Sequence, residues 1–493
     1  MRVYTHSRSF VWSLVLLGLA DGPVRAQSPD AAPPAPSISV FGSIRSRAYL
    51  WNWFGDNPAG DYSYPGTLIR GGLSRHAPSW DWQIELALPV LLNLPADAVL
   101  PAPQGQLGLG ATYFAANANS SDALALFPKQ VFARFKNVAG VNGQAVSVGR
   151  MEFNDGSEVT PKDATLAALK RDRISQRLVG TFGFSDVGRS MDGVEYAYAG
   201  ADTNVTSIAG RPTQGVFQVN GWGELNIAVA YGAVTRQTGG VHAPGEFRVF
   251  GLWYDDYRHG VAKTDNRPAA VRSADTNGIN IGTFGSHYLL LVPTAAGPID
   301  VLFWGAGQAG SWGTLAQRSG AFSIEAGWQP PEPTAVRLWL RTGYDYASGD
   351  SSASDGSHGT FFQVLPTPRI YARLPFFNMM NSKDAFGELI VRPTSHVTVR
   401  ADVHAIGLAD ADDLWYSGGG AFQPQTFGYT GRPSNGNGEL ATLLDVGVDW
   451  TVNAHVAVNG YYGRARGDAI TQAIYPGDHS ACLGYVEIVL RWP

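Results

Sequence analysis

The segment His396–His404 reads H-V-T-V-R-A-D-V-H, with Val397, Val399, Ala401 and Val403 alternating with Thr398, Arg400, Asp402 and His404. A period of two sends successive side chains to opposite faces of a strand. One face here is apolar and the other carries charge in mid-strand, so the charged face cannot pack into a dry core. Several other segments repeat the pattern. Lipid outside and water inside satisfy it, and that is the logic of an all-β transmembrane antiparallel β-barrel.

The amino terminus supplies an address. Arg2 and Arg8 precede an apolar stretch from Phe10 to Ala20, and Val24-Arg25-Ala26 places small residues at the −3 and −1 positions, so residues 1–26 read as a signal peptide. The apolar stretch is shorter than the ~20 residues a membrane helix needs. Residues 27–40, with A-A-P-P-A-P from Ala31 to Pro36, read as a Pro/Ala-rich tether leading into a barrel over 41–493.

At 44% hydrophobic and a mean hydropathy of −0.09, with no long apolar run after residue 26, the chain offers no membrane helix. A barrel escapes that test because only alternate residues meet lipid. The 14 Trp, 20 Tyr and 23 Phe suit interfacial girdles, and the 59 glycines suit turns and loops. A single cysteine, Cys482, excludes an intramolecular disulfide framework and a Cys-based zinc cluster. The net charge of −5 gives no general basic surface for nucleic acid. Asp350 and Asp355, in S-G-D-S-S-A-S-D-G-S, lack the ordered spacing of a calcium loop, and no metal or cofactor is expected.

Strands are separated alternately by short and long connections. The short ones are Ala77–Ser79, Ala139–Gly143, Gly200–Thr203, Thr235–Gly245, Pro293–Pro298, Gln329–Pro333, Arg392–Ser395 and Thr451–Ala454, with longer ones between them. About eighteen strands result, with short periplasmic turns, long extracellular loops and, for an even count, both termini in the periplasm. The loop Ser348–Lys383 is long enough to fold over or into the opening as a gate. The last strand alternates Val486, Ile488, Leu490 and Trp492 with Glu487, Val489 and Arg491, a pattern that resembles the signal read by barrel assembly machinery, although Pro493 follows the aromatic.

Parity assigns the lumen. Arg45, Arg47, Arg134, Lys136, Arg337, Arg341 and Arg400 alternate with apolar neighbours, as do the acids Asp81, Glu85, Glu224, Glu325, Asp402, Asp445 and Asp449. Arg or Lys at the midplane of a lipid face costs about 2–4 kcal/mol, which favours the inward assignment. Opposed guanidinium groups could hand carboxylates along an anion-selective passage, since the Arg fork binds a carboxylate bidentately and stays charged. They could equally pair with the interior acids and brace the wall.

Enzyme readings are weaker. Gly305-Ala-Gly307-Gln-Ala-Gly310, with Glu325 beyond it, formally meets the dinucleotide fingerprint, but no amphipathic helix follows, and strand end plus loop is the simpler expectation. A barrel-embedded hydrolase has Ser, His and Asp available, His404 near Asp402 among them, yet neither G-x-S-x-G nor H-E-x-x-H occurs.

Asn137–Phe153 with V-S-V-G-R-M-E-F, then Arg177, Ser190-Met191-Asp192-Gly193-Val194, T-G-Y-D-Y-A-S-G-D from Thr342 to Asp350, Asn378, and R-P-T-S-H-V-T-V-R-A-D-V-H from Arg392 resemble the alginate-export family of outer-membrane porins. The resemblance implies an eighteen-stranded monomeric barrel in a Gram-negative outer membrane, with an arginine-rich pore passing the anionic polysaccharide alginate. It also implies Arg150 as a pore residue, whereas parity places Arg150 with Val146 and Val148 on the other face. Expected partners are that polysaccharide, outer-membrane lipid, barrel assembly machinery and periplasmic polysaccharide-secretion proteins. The alternative is a general or uptake porin for small acidic nutrients.

Overall fold

The computed structural model describes residues 38–239, 243–331, 336–367 and 372–493. The expected signal peptide and residues 27–37 of the expected tether lie outside the described residues. The first strand begins at Ile38, so the last three residues of the expected tether are already strand.

Eighteen strands build the wall: β1 (Ile38–Asn52), β2 (Asp61–His76), β3 (Trp80–Leu91), β4 (Phe127–Lys136), β5 (Gln144–Met151), β6 (Met191–Ala199), β7 (Thr203–Pro212), β8 (Ile227–Thr238) and β9 (Gly245–Asp256) form its first half. The second half is β10 (Ile279–Val292), β11 (Ile299–Trp312), β12 (Leu315–Trp328), β13 (Arg337–Ala347), β14 (Ser382–Thr394), β15 (Val397–Gly407), β16 (Glu439–Thr451), β17 (Val456–Gly467) and β18 (Ser480–Trp492). Each pairs antiparallel with its neighbours, and β1 pairs with β18 from Gly42 opposite Trp492 to Asn52 opposite Cys482. The ladder is therefore closed, as a sheet in hydrocarbon must be.

Alternation decides the faces. In β15, Arg400, Asp402 and His404 are buried inside while Val403 is 50% exposed outside. Val40, Ile84, Val131, Val148, Phe284, Ile324 and Val486 continue the outward apolar belt around the barrel. Trp80, Trp328, Trp450 and Trp492 ring its short-turn end, and Trp222 and Trp253 mark the other end.

Among the described residues the short connections fall at the expected end and the long ones at the other, although β8 runs to Thr238 and β14 to Thr394, into the expected Thr235–Gly245 and Arg392–Ser395 turns. Residues 240–242 and 332–333, of the expected Thr235–Gly245 and Gln329–Pro333 turns, lie outside the described residues. One connection departs from the pattern. β11 and β12 meet at Gly313-Thr314, a two-residue hairpin on the long-loop side whose Gly313 has φ +63°, as the first position of a type II′ turn requires. Gly305–Gly310, expected at a strand end, lies inside β11, paired on both sides.

The lumen is filled from the long-loop end. Helix α1 (Leu109–Ala116) packs with Tyr49, Trp51, Tyr64 and Trp415, while Phe361, Phe362 and Tyr429 pack on Phe250, Trp304 and Trp312. Replacing the outward Val486 with Arg should lower the unfolding free energy in lipid by about 2–4 kcal/mol, and the same change at the boundary residue Trp450 by about 0–1 kcal/mol from charge alone. Urea titration in bilayers reads both, and equal costs at the two sites would contradict the placement of the belt.

Candidate functional site

The inner wall carries most of the charges that parity assigned to it. Arg45, Arg47, Arg341, Arg400, Glu85, Glu325, Asp402 and Asp445 all point inward. Lys136 bonds Asp81 at 2.8 Å near the short-turn end, and Arg134 lies opposite Asp81 on the same face. Arg337 stands opposite Arg392 at that end, and Asp449 lines the wall beside Arg400.

Two expectations are corrected. Arg150 points outward, as Val148 does: it grips Asp192 at 2.6 Å and the carbonyls of Gly221 and Trp222, because inward parity in β5 belongs to Ala145, Ser147 and Met151. Glu224 is in the β7–β8 connection rather than a strand, exposed and 3.3 Å from Arg211 on that same outer rim.

The element that enters the lumen deepest is the β5–β6 connection, residues 152–190. Its helix α2 (Ala164–Leu169) is capped by Asp163, which accepts from the N–H groups of Thr165 and Leu166 at 2.9 and 3.0 Å. Lys162 reaches Asp202 in the β6–β7 turn at 3.1 Å, and Gln329, just past β12, donates to Thr165 at 3.2 Å. Both partners sit at the short-turn end, so this loop traverses the lumen. The loop expected as the gate over Ser348–Lys383 ends at Asn381, just before β14 begins. Its described residues also line the lumen and run beside the inserted loop, with Leu365 N donating to Leu178 O at 2.8 Å.

Ion pairs fix the inserted loop. Lys170 meets Glu246 at 2.5 Å, Glu158 accepts from Arg248 at 2.9 Å, and Asp172 pairs with Arg400 at 2.7 Å. Arg173 and Arg177 converge on Glu325 at 2.8 and 3.3 Å, where Arg341 adds a third contact at 3.0 Å. Although burial alone would raise it, Arg400 and Arg171 hold the Asp172 carboxyl below its ordinary range. Burial pushes Asp155 up to about 6, even with two backbone N–H donors on it. Burial likewise brings Arg189 down to about 10, held by the carbonyls of Gly419 and Ala421.

Between this loop and the β17–β18–β1 wall lies a cavity of about 240 Å³ lined by Arg45, Arg47, Arg373, Gln176, Phe184, Asn459, Tyr485 and Glu487, among others. Arg45 donates to Gly183 O at 2.6 Å, and Arg47 to Glu487 at 2.8 Å and to Phe184 O at 2.7 Å. Arg373, from loop 348–381, reaches the Tyr485 hydroxyl. Three guanidinium groups thus line the cavity with one acid, Glu487, and a second carboxylate, Asp186, lies 3.5 Å from Arg45. At Phe184 the cavity adjoins an aromatic vestibule of about 190 Å³ that includes Trp53, Phe182, Phe217, Phe422 and Arg432. At Arg373 it adjoins a smaller space bounded by Arg400, Asp402, Asp445 and Asp449. Apolar ring faces and arginine forks together suit a saccharide that bears carboxylates.

Sequence reasoning missed Arg373 because loop residues carry no parity, and it missed Arg392 because Arg392-Pro393 reads as a turn. Arg70, which grips Glu85 at 2.6 Å and Glu152 at 3.1 Å, shares the inward face with apolar Leu68 and left no alternating signal. His404 bonds Asp384 at 3.0 Å and is fully buried. Among the described residues no group of three or more His, Cys, Asp or Glu is placed to hold a metal.

A closed eighteen-stranded barrel of this form is an outer-membrane porin fold. Residues 253–474 match the family model described as alginate export, the family whose motifs the chain resembles; the span includes Thr342–Asp350 and Arg392–His404. No curated protein matches the chain. Among solved structures it is similar to Acinetobacter baumannii OccAB2 (8% identity, 92% of this chain and 98% of that one, TM-score 0.54). It is also similar to a BenF-like porin from Pseudomonas fluorescens Pf-5 (6%, 92% and 98%, TM-score 0.53). Pseudomonas aeruginosa OccK2 (OpdF), solved in complex with glucuronate, is a third (8%, 92% and 97%, TM-score 0.51).

Removing the shared acceptor of the inserted loop, Glu325→Gln, leaves buried cations unpaired and should cost about 3–5 kcal/mol. Urea unfolding checks it, and an unchanged midpoint would show that the pairs contribute nothing net. Asp155 has a raised folded pKa, so its stabilising contribution is present at low pH and is lost as pH climbs from about 4 through 6. The melting temperature of Asp155→Asn minus that of wild type should therefore increase over that window, and a flat difference would contradict the burial argument.

Proposed function

We propose that the chain is a passive, anion-selective outer-membrane pore for carboxylate-bearing saccharides, with an alginate-type polyuronate as cargo leaving the cell. The observation that carries this reading is the set of three arginines, Arg45, Arg47 and Arg373, around one cavity with Glu487 as the acid among them. Arginine stays charged at any physiological pH, and in a narrow passage with low-dielectric walls its potential is focused on an entering anion. The alginate-export match over residues 253–474 supports the polymer. OccK2's glucuronate is a ligand of that protein; at 8% identity the likeness carries the fold, and the cargo proposed here rests on the arginines and the family match. The short turns of such barrels face the periplasm, so the arginine cavity lies between a periplasmic mouth and an aromatic vestibule facing outward.

One observation favours a second reading. Loop 152–190 fills the lumen as far as the short turns and leaves small linked cavities beside it, a dimension that suits single acidic nutrients.

Single-channel recording in planar bilayers, with oligouronates of increasing length, separates the two. Export of a polymer predicts anion selectivity and block whose residence time grows with oligomer length. Arg373→Gln and Arg45→Gln should each weaken the block about tenfold, the equivalent of about 1.4 kcal/mol. Block by the monomer alone would favour small acids, and a cation-selective channel indifferent to uronate would overturn both.

A further inference from the structure

On the lipid-facing side of β16–β18, at the long-loop end, lies a groove of about 560 Å³ lined by Arg464, Arg466, His479, Ser480, Thr442 and Leu444, with Gly477 and Asp478 at its edge. Parity puts both arginines outside: Arg464 lies opposite Leu444 and Cys482, and Arg466 opposite Thr442 and Ser480, while Gly463, Ala465 and Gly467 face in. Leu444, Val446, Tyr462 and Val486 continue the same face toward the membrane centre, each well exposed. Two guanidinium groups therefore crown an apolar strip.

These arginines differ from the outward pair on the other side of the barrel. Arg150 and Arg211 are neutralised by Asp192 and Glu224 of their own chain. Arg464 and Arg466 make no hydrogen bond or ion pair among the described residues, and both are exposed. The acid that lines the groove's edge, Asp478, accepts from the N–H and hydroxyl of Ser480 at 3.0 and 2.9 Å and feels Arg464 without bonding it. It gives its own N–H to Asp56, outside the groove lining, at 2.8 Å. Cationic charge is left over where hydrocarbon meets head groups.

We infer that this groove binds a phosphorylated, multiply acylated glycolipid of the facing leaflet, its phosphate between Arg464 and Arg466 and its acyl chains along Leu444, Val446 and Val486. The charge complements the phosphate, the guanidinium fork matches its oxygens, and the apolar strip gives the chains a surface that a free anion would not use. This site is separate from the lumen, so its test is independent of the cargo.

Native mass spectrometry of the full chain released from detergent, with bis-phosphorylated lipid A as the probe, measures the binding. Arg464→Gln with Arg466→Gln should weaken it about thirtyfold, and Arg464→Lys with Arg466→Lys should retain most of it. Wild-type protein offered dephosphorylated lipid A should show a comparable loss, an arm that needs no substitution and decides the matter if the double variant fails to fold. Equal binding of the two lipids, or undiminished binding by a folded Gln variant, would overturn the site. Displacement by inorganic phosphate at the lipid's own concentration would assign the arginines to a free anion instead, and would overturn it too.

Discussion

The backbone pairing of β1 with β18 is the contact on which the rest depends. In hydrocarbon an unpaired strand edge has no water to satisfy it, so the sheet must close, and closure commits every side chain to lipid or to lumen. Once that choice is made, arginines and acids at inward parity have no apolar alternative. They must be met by water or by one another, because an isolated charge in a packed interior is far too costly. Loop 152–190 meets many of them: its cations sit on the acids of β9 and β12, and its Asp172 sits on Arg400 of β15.

The same chemistry thus serves two ends within one lumen. Arg341 is enclosed by Asp300, Glu325 and Glu388, and it holds the wall together. Arg45 and Arg47 meet Glu487 while Arg373 bonds the Tyr485 hydroxyl, and all three line one cavity, so a carboxylate arriving there would meet three cations and a single lining acid. Overall charge hides this. A chain with net charge −5 builds a positive gallery where the fold brings a loop arginine against two strand arginines.

How far the sequence could be read follows from that division. Strand positions obey a rule of two, so the alternation of β15 and β18, the turns at Ala77–Ser79 and Pro293–Pro298, and the inward set from Arg45 to Asp445 were legible from residue order alone. Parity was also the better guide at Arg150, where the family resemblance pointed inward and the fold points out. It failed at Glu224, which lies in a connection whose residues do not alternate. The glycines from Gly305 to Gly310 looked like a loop because glycine is a poor strand former in isolation, yet ladders on both sides hold them in β11. The inserted loop and Arg373 left no signal, since what fixes them is contact between residues 40 to 228 positions apart.

The ion pairs that hold loop 152–190 are unequal, and the inequality says where a cargo could travel. Its tip touches the short turns through Lys162 and Asp202, both largely exposed at 72% and 63%, a kind of pair that contributes at most about 1 kcal/mol. Its stem rests on buried pairs at Glu246, Glu325 and Arg400, and separating any one of them costs several kcal/mol. Withdrawing the whole loop would break them all at once, which thermal motion does not supply. Loosening the tip alone would break none of them. In the function proposed here a solute would therefore pass beside the stem, along the β17–β18–β1 wall where Arg373, Arg47 and Arg45 stand, and the width of that side passage rather than the diameter of the barrel would set what can cross.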